Sequence, residues 1–152
     1  MIGVLWLGVF AHDELPDFSR GIRLWCLILN TDPKDHPGTH WIAFYAPLAG
    51  GIKLFDSFGL SPRIYNLDFF KSLNLSFSLQ SPSSFVCNHY CIVYIYFRFR
   101  NNSQSDIVNL LIKISSRDLW VKQYIHKLQI RLRILNPCHR SGQRCKSKFQ
   151  FC

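Results

Sequence analysis

The sequence predicts an α+β domain, because strand-like segments dominate its first half and helix-like segments its second half. The 152-residue chain has the size of one domain with one sizeable core. Its hydrophobic content of 48% and aromatic content of 15% exclude a disordered chain. Since no apolar run reaches the roughly 18 residues that a membrane-spanning helix requires, we expect no membrane association.

Four apolar segments predict the strands. The first, Met1–Phe10, lacks the basic start of a secretory signal and is interpreted as a core strand. The other three form a meander and cover Ile22–Leu29, His40–Ala46 and Ile52–Phe58. A loop rich in Pro and Asp separates the first two, and Pro47–Gly51 makes the turn between the last two.

The turn between the last two strands predicts a pairing. If residues 47–49 form the loop, cross-strand partners have numbers that sum to about 96. This register puts His40 opposite Asp56, with both side chains on one face of the sheet. A slip of one residue would put them on opposite faces. We therefore expect an imidazole and a carboxylate to lie close together.

The second half is predicted to be mostly helical, after a less regular segment. An aromatic helical stretch is expected around Tyr65–Leu73, followed by a short strand at Leu75–Leu79. Cys87–Phe99 has the β-branched and aromatic residues of a strand, but its length and context favour a buried helix. Two amphipathic helices follow, for which Ser105 and Ser116 are candidate N-caps.

Charge and cysteine content are uneven along the chain. The domain is expected to span residues 1–130, followed by a basic, cysteine-containing tail at 131–152 that is a candidate for disorder. The net charge of +9 is concentrated after Ser81, where Asp106 and Asp118 are the only acidic residues. This half could contact DNA or another polyanion, although a solvated basic face is the more common use of such charge. Because the chain is not a loop-rich disulfide scaffold, we expect a reducing intracellular compartment, with nucleus and cytoplasm both open.

Four residues carry chemistry in the order His40, Asp56, Gln80 and Cys87. A cysteine hydrolase needs a thiol nucleophile, an imidazole base, a carboxylate that orients the base and an amide that stabilises an oxyanion. A helix beginning at the cysteine would lower the pKa of the thiol and offer a free backbone N–H. Each residue alone is ordinary, since cysteines are common in cores, histidines in strands and aspartates in turns. Their ordered combination predicts a site.

The segments around these residues resemble the adenovirus-type cysteine protease (adenain) family. Three motifs carry the resemblance, Gly38–Phe44, Phe55–Gly59 and Gln80–Cys87, and the opening Gly8–Pro16 is similar as well. The closest resemblance is to the versions carried by mobile elements of the Polinton/Maverick kind. It covers roughly residues 1–130, and the seven-residue step within the third motif is typical of the family.

The resemblance implies a fold and a set of site residues. The family fold is α+β, with the nucleophile at a helix N-terminus packed against a mixed sheet, which favours the helix for the segment after Cys87. By resemblance, His40, Asp56 and Cys87 are the catalytic triad, and Gln80 supplies the oxyanion donor. Trp41 matches the aromatic residue that packs beside the site.

The resemblance also implies an activity. Family members are cysteine endopeptidases, so we expect cleavage of virus- or mobile-element-derived protein precursors at Gly-containing sites, by a monomer that needs no cofactor. Stimulation by a peptide or by DNA is implied by the family alone. Asn88, expected with Trp41 at the substrate site, stands where the family usually has Gly.

Two other functions remain open. The Gly-to-Asn departure at position 88 suggests a catalytically inactive relative that acts at most as a binding module. A zinc or nucleic-acid module would use cysteines and histidines whose spacing matches no standard finger. These residues are Cys87, His89, Cys91, Cys138, His139 and Cys145.

Overall fold

A computed structural model describes residues 4–16, 24–67 and 77–135 of the chain. Its sheet has four strands, in the order β1-β2-β3-β4. They are β1 (Leu5–Phe10), β2 (Trp25–Asn30), β3 (Trp41–Ala46) and β4 (Lys53–Phe55). The first pair is parallel and the other two pairs are antiparallel, so the sheet is mixed. The predicted α+β class and the three-strand meander are confirmed.

The two central strands are buried on both faces, which explains their almost continuous apolar sequences. On one face, Cys26 and Ala43 belong to the core shared with the helices. On the other face, Leu27 and Phe44 belong to a second, smaller cluster. Alternation along each strand thus divides its side chains between two cores.

The predicted first strand exists, but it is an edge strand rather than a core strand. Leu5 and Val9 are about half exposed, at 49% and 52%. The pairing of β1 with β2 shifts between Trp6 and Gly8, and Gly8 has φ +133°. This bulge needs the conformational freedom of glycine. The apolar sequence therefore predicted the strand correctly, but the prediction that its side chains lie in the core was wrong.

The hairpin between β3 and β4 has a different register from the predicted one. Ala43 pairs with Phe55 and Phe44 with Leu54, so partner numbers sum to 98 instead of 96. The connection is longer than the assumed three residues, running from Pro47 to Ile52 with Gly50 at φ +91°. A shift by two residues preserves the face of every side chain, whereas a shift by one would not. The predicted proximity of the imidazole and the carboxylate survives for this reason.

The segment after the sheet differs from its prediction. A short 3-10 helix occupies Pro62–Tyr65, and Asn66 ends it in the left-handed conformation at φ 56°. Residues 68–76, where most of the predicted aromatic helix and the start of the following strand fall, lie outside the described residues. Phe77–Leu79, the remainder of the predicted strand, is irregular.

Three helices follow: α1 (Cys87–Phe99), α2 (Gln104–Ile112) and α3 (Arg117–Leu135). The buried helix predicted for the first of these segments is confirmed, and α3 starts directly after Ser116 as predicted. Residues 136–152, which make up most of the predicted tail, are not described. Within the described part of the chain, no helix combines the length and the apolar character needed to span a bilayer.

The N-cap of α2 is Ser103 and not the predicted Ser105. The Ser103 hydroxyl accepts the Asp106 N–H at 3.1 Å, and the Asp106 carboxylate accepts the Ser103 N–H at 3.0 Å. This capping box requires an acceptor three residues after the cap. Ser105 has Val108 at that position, so it cannot form one.

Helix α1 packs on the sheet and begins with Cys87. α1 packs against β3 of the sheet and against the helices α2 and α3. Its buried side chains are mostly large and apolar, and Tyr94 stacks on Phe55 of β4 with ring centroids 4.4 Å apart. Burial therefore outweighs the strand propensity of its β-branched and aromatic residues.

Candidate active site

An imidazole and a carboxylate meet at one end of the sheet. His40 precedes β3 and Asp56 follows β4, so the antiparallel hairpin brings the two residues to the same end. The His40 Nε2–H donates to Asp56 Oδ1 at 2.8 Å, and both side chains are buried. The other ring nitrogen, Nδ1, makes no hydrogen bond of standard geometry among the described residues, and the interaction of the ring with Cys87 falls outside that geometry. The pair is thus oriented through Nε2, with Nδ1 available.

The carboxylate of Asp56 is held by further donors. Its Oδ1 accepts the Phe58 N–H at 2.8 Å, while its Oδ2 accepts the Tyr65 hydroxyl at 2.8 Å and the Leu60 N–H at 3.3 Å. The turn after β4 and the 3-10 helix supply these groups. An ionised carboxylate is an acceptor with room for all four donors. The buried charge is therefore fully hydrogen-bonded.

The sequence did not reveal the role of Tyr65. Besides its hydrogen bond to the carboxylate, its ring lies 5.8 Å from that of His40 in a stacked arrangement. Phe58 covers the imidazole from a second direction, at 4.8 Å between ring centroids. Phe58 belongs to a motif already noted, but a lone tyrosine nine residues after the carboxylate gave no signal.

The thiol of Cys87 interacts with the imidazole from the N-terminus of α1. Burial acts to lower the pKa of His40, but hydrogen bonding and charge from Asp56 and Cys87 outweigh it and raise the pKa to about 9. Burial acts to raise the pKa of Cys87, but His40 and backbone hydrogen bonds from Trp41 and Asn88 lower it. These opposite shifts favour a thiolate–imidazolium pair.

The other described cysteines have the opposite electrostatic environment. Burial raises the pKa of Cys26 to about 12 and that of Cys91 well above its ordinary value. Cys91 also donates its S–H to the Trp41 carbonyl at 3.3 Å. Among the cysteines that the structure describes, Cys87 is thus the one with thiolate character. The sequence alone could not distinguish it from Cys91, four residues away.

The side-chain amide of Gln80 is fixed by serines. Its Oε1 accepts the Ser57 hydroxyl at 2.8 Å, and its Nε2 donates to the Ser84 carbonyl at 2.7 Å. Ser57 is fully buried, and its carbonyl also accepts the backbone N–H groups of Leu79 and Gln80. Because the amide nitrogen carries two hydrogens, one of them is left for another acceptor.

A cleft of about 290 Å³ joins the remaining predicted residues. Cys87 and Gln80 line it together with Trp41 and Asn88, the two residues expected at the substrate site. Phe85, which the sequence did not single out, also lines the cleft and is 92% exposed. The structure therefore brings the thiol and the amide to one concave surface, which is the usual form of a ligand site.

The side chain of Asn88 is turned along the helix. Its Oδ1 accepts the His89 backbone N–H at 2.8 Å and lies 2.6 Å from the His89 ring nitrogen Nδ1. This contact occupies the carbonyl oxygen of the amide with a neighbouring residue of the same helix. The Asn88 backbone also makes a hydrogen bond that acts to lower the pKa of Cys87.

The described residues do not form a metal site. Over residues 4–16, 24–67 and 77–135, no three His, Cys, Asp or Glu side chains are grouped closely enough to hold a metal ion. Cys91 of the proposed zinc set points to a carbonyl oxygen inside the core instead. The other part of that set, Cys138, His139 and Cys145, lies outside the described residues.

Fold and site together define a class of protein. A thiol at a helix N-terminus, an imidazole held by a buried carboxylate and a fixed amide around one cleft are the groups that a cysteine hydrolase requires. A comparison with known families then gives a more specific relationship. Residues 6–76 match the family model described as adenovirus endoprotease. This match includes His40 and Asp56 and ends before Gln80.

Curated relatives give the same result over a longer part of the chain. The protease of human adenovirus D serotype 9 is 29% identical over 116 residues, covering 62% of this chain and 54% of the relative. The protease of bovine adenovirus B serotype 3 is 28% identical over 116 residues, with coverages of 62% and 56%. That of bovine adenovirus C serotype 10 is 30% identical over 114 residues, with coverages of 62% and 58%. The chain spans little more than half the length of these relatives, and the predicted relationship to the adenovirus-type cysteine proteases is confirmed.

Proposed function

We propose that this chain is a cysteine endopeptidase that cleaves protein precursors through an acyl-enzyme on Cys87. The observation that carries the proposal is the position of Cys87 at the N-terminus of α1, where it lines one cleft with Gln80. Its interaction with His40, which is held by Asp56, lowers the pKa of the thiol against the effect of burial. A thiolate is the reactive form of cysteine, and an imidazolium beside it is the acid needed later in the reaction. The similarity to adenovirus proteases supports a peptide bond as the substrate.

The proposed reaction assigns one role to each group. The Cys87 thiolate attacks the substrate carbonyl, and the carbonyl oxygen becomes an oxyanion. The free amide hydrogen of Gln80 and the Cys87 backbone N–H donate to this oxyanion. His40 then gives its Nδ1 proton to the leaving amine as the C–N bond breaks. In the second half, His40 takes a proton from water, and the hydroxide displaces the thiolate to release the acid.

Asp56 serves the reaction without contacting the substrate. Its bond to Nε2 holds that nitrogen as a donor, so that Nδ1 is the nitrogen that gains and loses the proton. Its negative charge also stabilises the imidazolium. Tyr65 and two backbone N–H groups keep the carboxylate in place, because they occupy the oxygen lone pairs that His40 does not use.

The finer features of the function rest on the family resemblance. We propose Gly-containing cleavage sites in virus- or mobile-element-type precursors, an origin in a Polinton/Maverick-like element, and action as a monomer in a reducing intracellular compartment without a cofactor. Stimulation by a peptide or by DNA is proposed on the same basis, and the basic residues after Ser81 favour contact with a polyanion.

Labelling by an electrophilic thiol probe tests the assignment of Cys87. We expect limiting probe to modify the native protein at Cys87 and to lose this modification in Cys87→Ala. Cys91→Ser is the matched control, because serine keeps a hydrogen-bond donor for the Trp41 carbonyl. Equal labelling of the native protein and Cys87→Ala, mapped to other cysteines by mass spectrometry, would sink the assignment.

The inactive relative is the second candidate, and Asn88 is the observation that favours it. Turnover of a Gly-rich peptide library separates the two, since an inactive relative would be labelled at Cys87 without cleaving any peptide. Asn88→Gly provides the comparison. If the asparagine is what prevents catalysis, this variant alone gains turnover while its labelling rate stays the same.

A further inference from the structure

The start of α3 holds the loop that carries Gln80. Asp118, in the first turn of this helix, accepts the Ser81 backbone N–H with its Oδ2 at 3.1 Å. The preceding residue, Arg117, donates its Nε–H to the Leu79 carbonyl at 2.9 Å. The residues on both sides of Gln80 are therefore bonded to two consecutive residues of α3.

A buried tyrosine joins α1 to the same contact. The Tyr90 hydroxyl lies 2.8 Å from Asp118 Oδ1 and 3.1 Å from the Leu79 carbonyl oxygen, and the residue is fully buried. Burial, reinforced by Asp118, raises the pKa of Tyr90, so the hydroxyl remains a donor. Its single hydrogen favours the carboxylate, the stronger acceptor. Asp118 thus receives donors from the loop and from the helix that begins with Cys87.

The loop after Gln80 depends on this contact. The Ser84 carbonyl that holds the Gln80 amide belongs to the same loop, and the other described bonds of Ser84 go to the Ser81 carbonyl. Ser57 anchors the chain before and at Gln80. Beyond it, the Asp118 bond to the Ser81 N–H is the described hydrogen bond that fixes the loop to the rest of the fold.

Packing holds the two ends of the loop and leaves its middle open. Leu79 and Gln80 before it and Val86 after it are buried. A cavity of about 530 Å³ is lined by residues 78–82 and 115–119, where the loop faces the start of α3, and close packing is reduced at such a cavity. Two hydrogen bonds join the segments here, from the Arg117 side chain to the Leu79 carbonyl and from the Ser81 N–H to Asp118.

We propose that Asp118 is a positioning residue that keeps the Gln80 amide aimed at the oxyanion. This inference rests on the proposed function and extends it to a residue outside the cleft. A donor works only when it is held within a fraction of an ångström of the oxyanion position, and misplacement by about 1 Å can cost 10²-fold in rate. Asp118 acts through the backbone of the loop, and does not touch the substrate.

Two reactions of the same thiol test the proposal. Peptide hydrolysis needs the thiolate and the oxyanion donor, whereas alkylation by iodoacetamide needs only the thiolate. Asp118→Asn replaces one of the two carboxylate oxygens by an amide NH₂. This group cannot accept a hydrogen bond from the Ser81 N–H or the Tyr90 hydroxyl, whichever of them it faces. We expect kcat for a peptide substrate to fall about 10- to 100-fold with KM nearly unchanged. The rate of Cys87 alkylation and its pH profile should stay as in the native protein.

Two further variants separate positioning from general stability. Tyr90→Phe removes one donor and keeps the carboxylate, so a smaller loss of kcat is expected. Asp106→Asn is the matched control, because it also removes a carboxylate from the first turn of a helix but makes no bond to the Gln80 loop. It should lower the melting temperature without changing kcat at a temperature where it is folded.

A double-mutant cycle gives the decisive result. If Asp118 acts only through Gln80, Asp118→Asn lowers kcat in the native protein and has no further effect in Gln80→Ala. Equal losses in both backgrounds would overturn the proposal, as would a parallel loss of alkylation in Asp118→Asn. Failure of the proposed function is distinguishable, since the native protein would then show no more turnover than Cys87→Ala.

Discussion

Replacing Asp56 by asparagine tests how the site makes a thiolate. The change keeps the size of the side chain and removes its charge. The amide oxygen can still accept the His40 Nε2–H and the Phe58 N–H, both at 2.8 Å in the native structure. The amide NH₂ of the new asparagine then takes the place of Oδ2. It can donate to the Tyr65 hydroxyl oxygen, but it cannot accept the Leu60 N–H. Because only the weaker 3.3 Å bond from Leu60 is lost, we expect the asparagine to adopt this orientation rather than the flipped one.

The size of the expected loss of activity in Asp56→Asn follows from the pKa of His40. Asp56 and Cys87 together raise it to about 9 against the lowering effect of burial. Without the carboxylate, Cys87 alone opposes burial, so the pKa of His40 falls. A fall of about two pKa units corresponds to about 3 kcal/mol of imidazolium stabilisation, or roughly 10²-fold in the ratio of ion pair to neutral pair. We expect kcat/KM for a peptide to fall about 10- to 100-fold in Asp56→Asn.

The assay is the pH dependence of Cys87 alkylation by iodoacetamide, measured together with hydrolysis. Because His40 lowers the pKa of Cys87, weakening the imidazolium should move the alkylation profile of Asp56→Asn to higher pH. Circular dichroism would verify that the variant is folded. An unchanged alkylation profile in a folded variant, or hydrolysis within about threefold of the native rate, would refute this reasoning.

Three other perturbations probe neighbouring features. Tyr65→Phe removes the hydroxyl bond to Asp56 and keeps the ring on His40, so we expect a stability loss of about 1 to 2 kcal/mol by urea unfolding and a several-fold lower kcat. Phe85→Ala removes an exposed ring from the cleft, and KM should rise about fivefold with kcat retained; an unchanged KM would show that the ring does not meet the substrate. Since the folded-state pKa of His40 is raised to about 9, its protonation stabilises the fold below pH of about 6.5, and this contribution is lost as pH rises towards 9, whereas the lowered pKa of Cys87 acts in the opposite direction. A fall in the urea midpoint over this window should therefore be present in Cys87→Ser, which lacks the opposing thiol, and be reduced when His40→Gln is added, and equal slopes would contradict it.

The sequence predicted the elements of the fold better than their environment. The central strands and α1 are recognisable because long apolar runs and length suffice to define them. Burial of the first strand was overestimated, because an apolar strand at the sheet edge has the same pattern as a core strand. The N-cap of α2 was also mispredicted. Of the two serines near the start of this helix, only Ser103 has an acidic residue three positions later, and this difference is what selects it as the cap.

The candidate site was predictable as a set of residues, and less so as a geometry. His40 and Asp56 meet although the predicted register was wrong by two residues, because an even shift preserves the face. The residues that support the site were missed, because they act through contacts between distant segments. Ser57 and Gln80 are 23 residues apart, and Tyr90 and Asp118 are 28 apart. No local pattern encodes such pairs.

Cys87 and Cys91 lie on the same helix near the start of β3, but their thiols have opposite pKa shifts. The residues are one helical turn apart, so both face the start of β3. The backbone hydrogen bond from Trp41 lowers the pKa of Cys87, while the Trp41 carbonyl accepts the S–H of Cys91. An N–H donor stabilises a thiolate, and a carbonyl acceptor stabilises a thiol. Burial raises the pKa of both thiols and dominates at the fully buried Cys91, whereas His40 and then the facing backbone outweigh it at Cys87, so that Cys87 is the reactive sulfur.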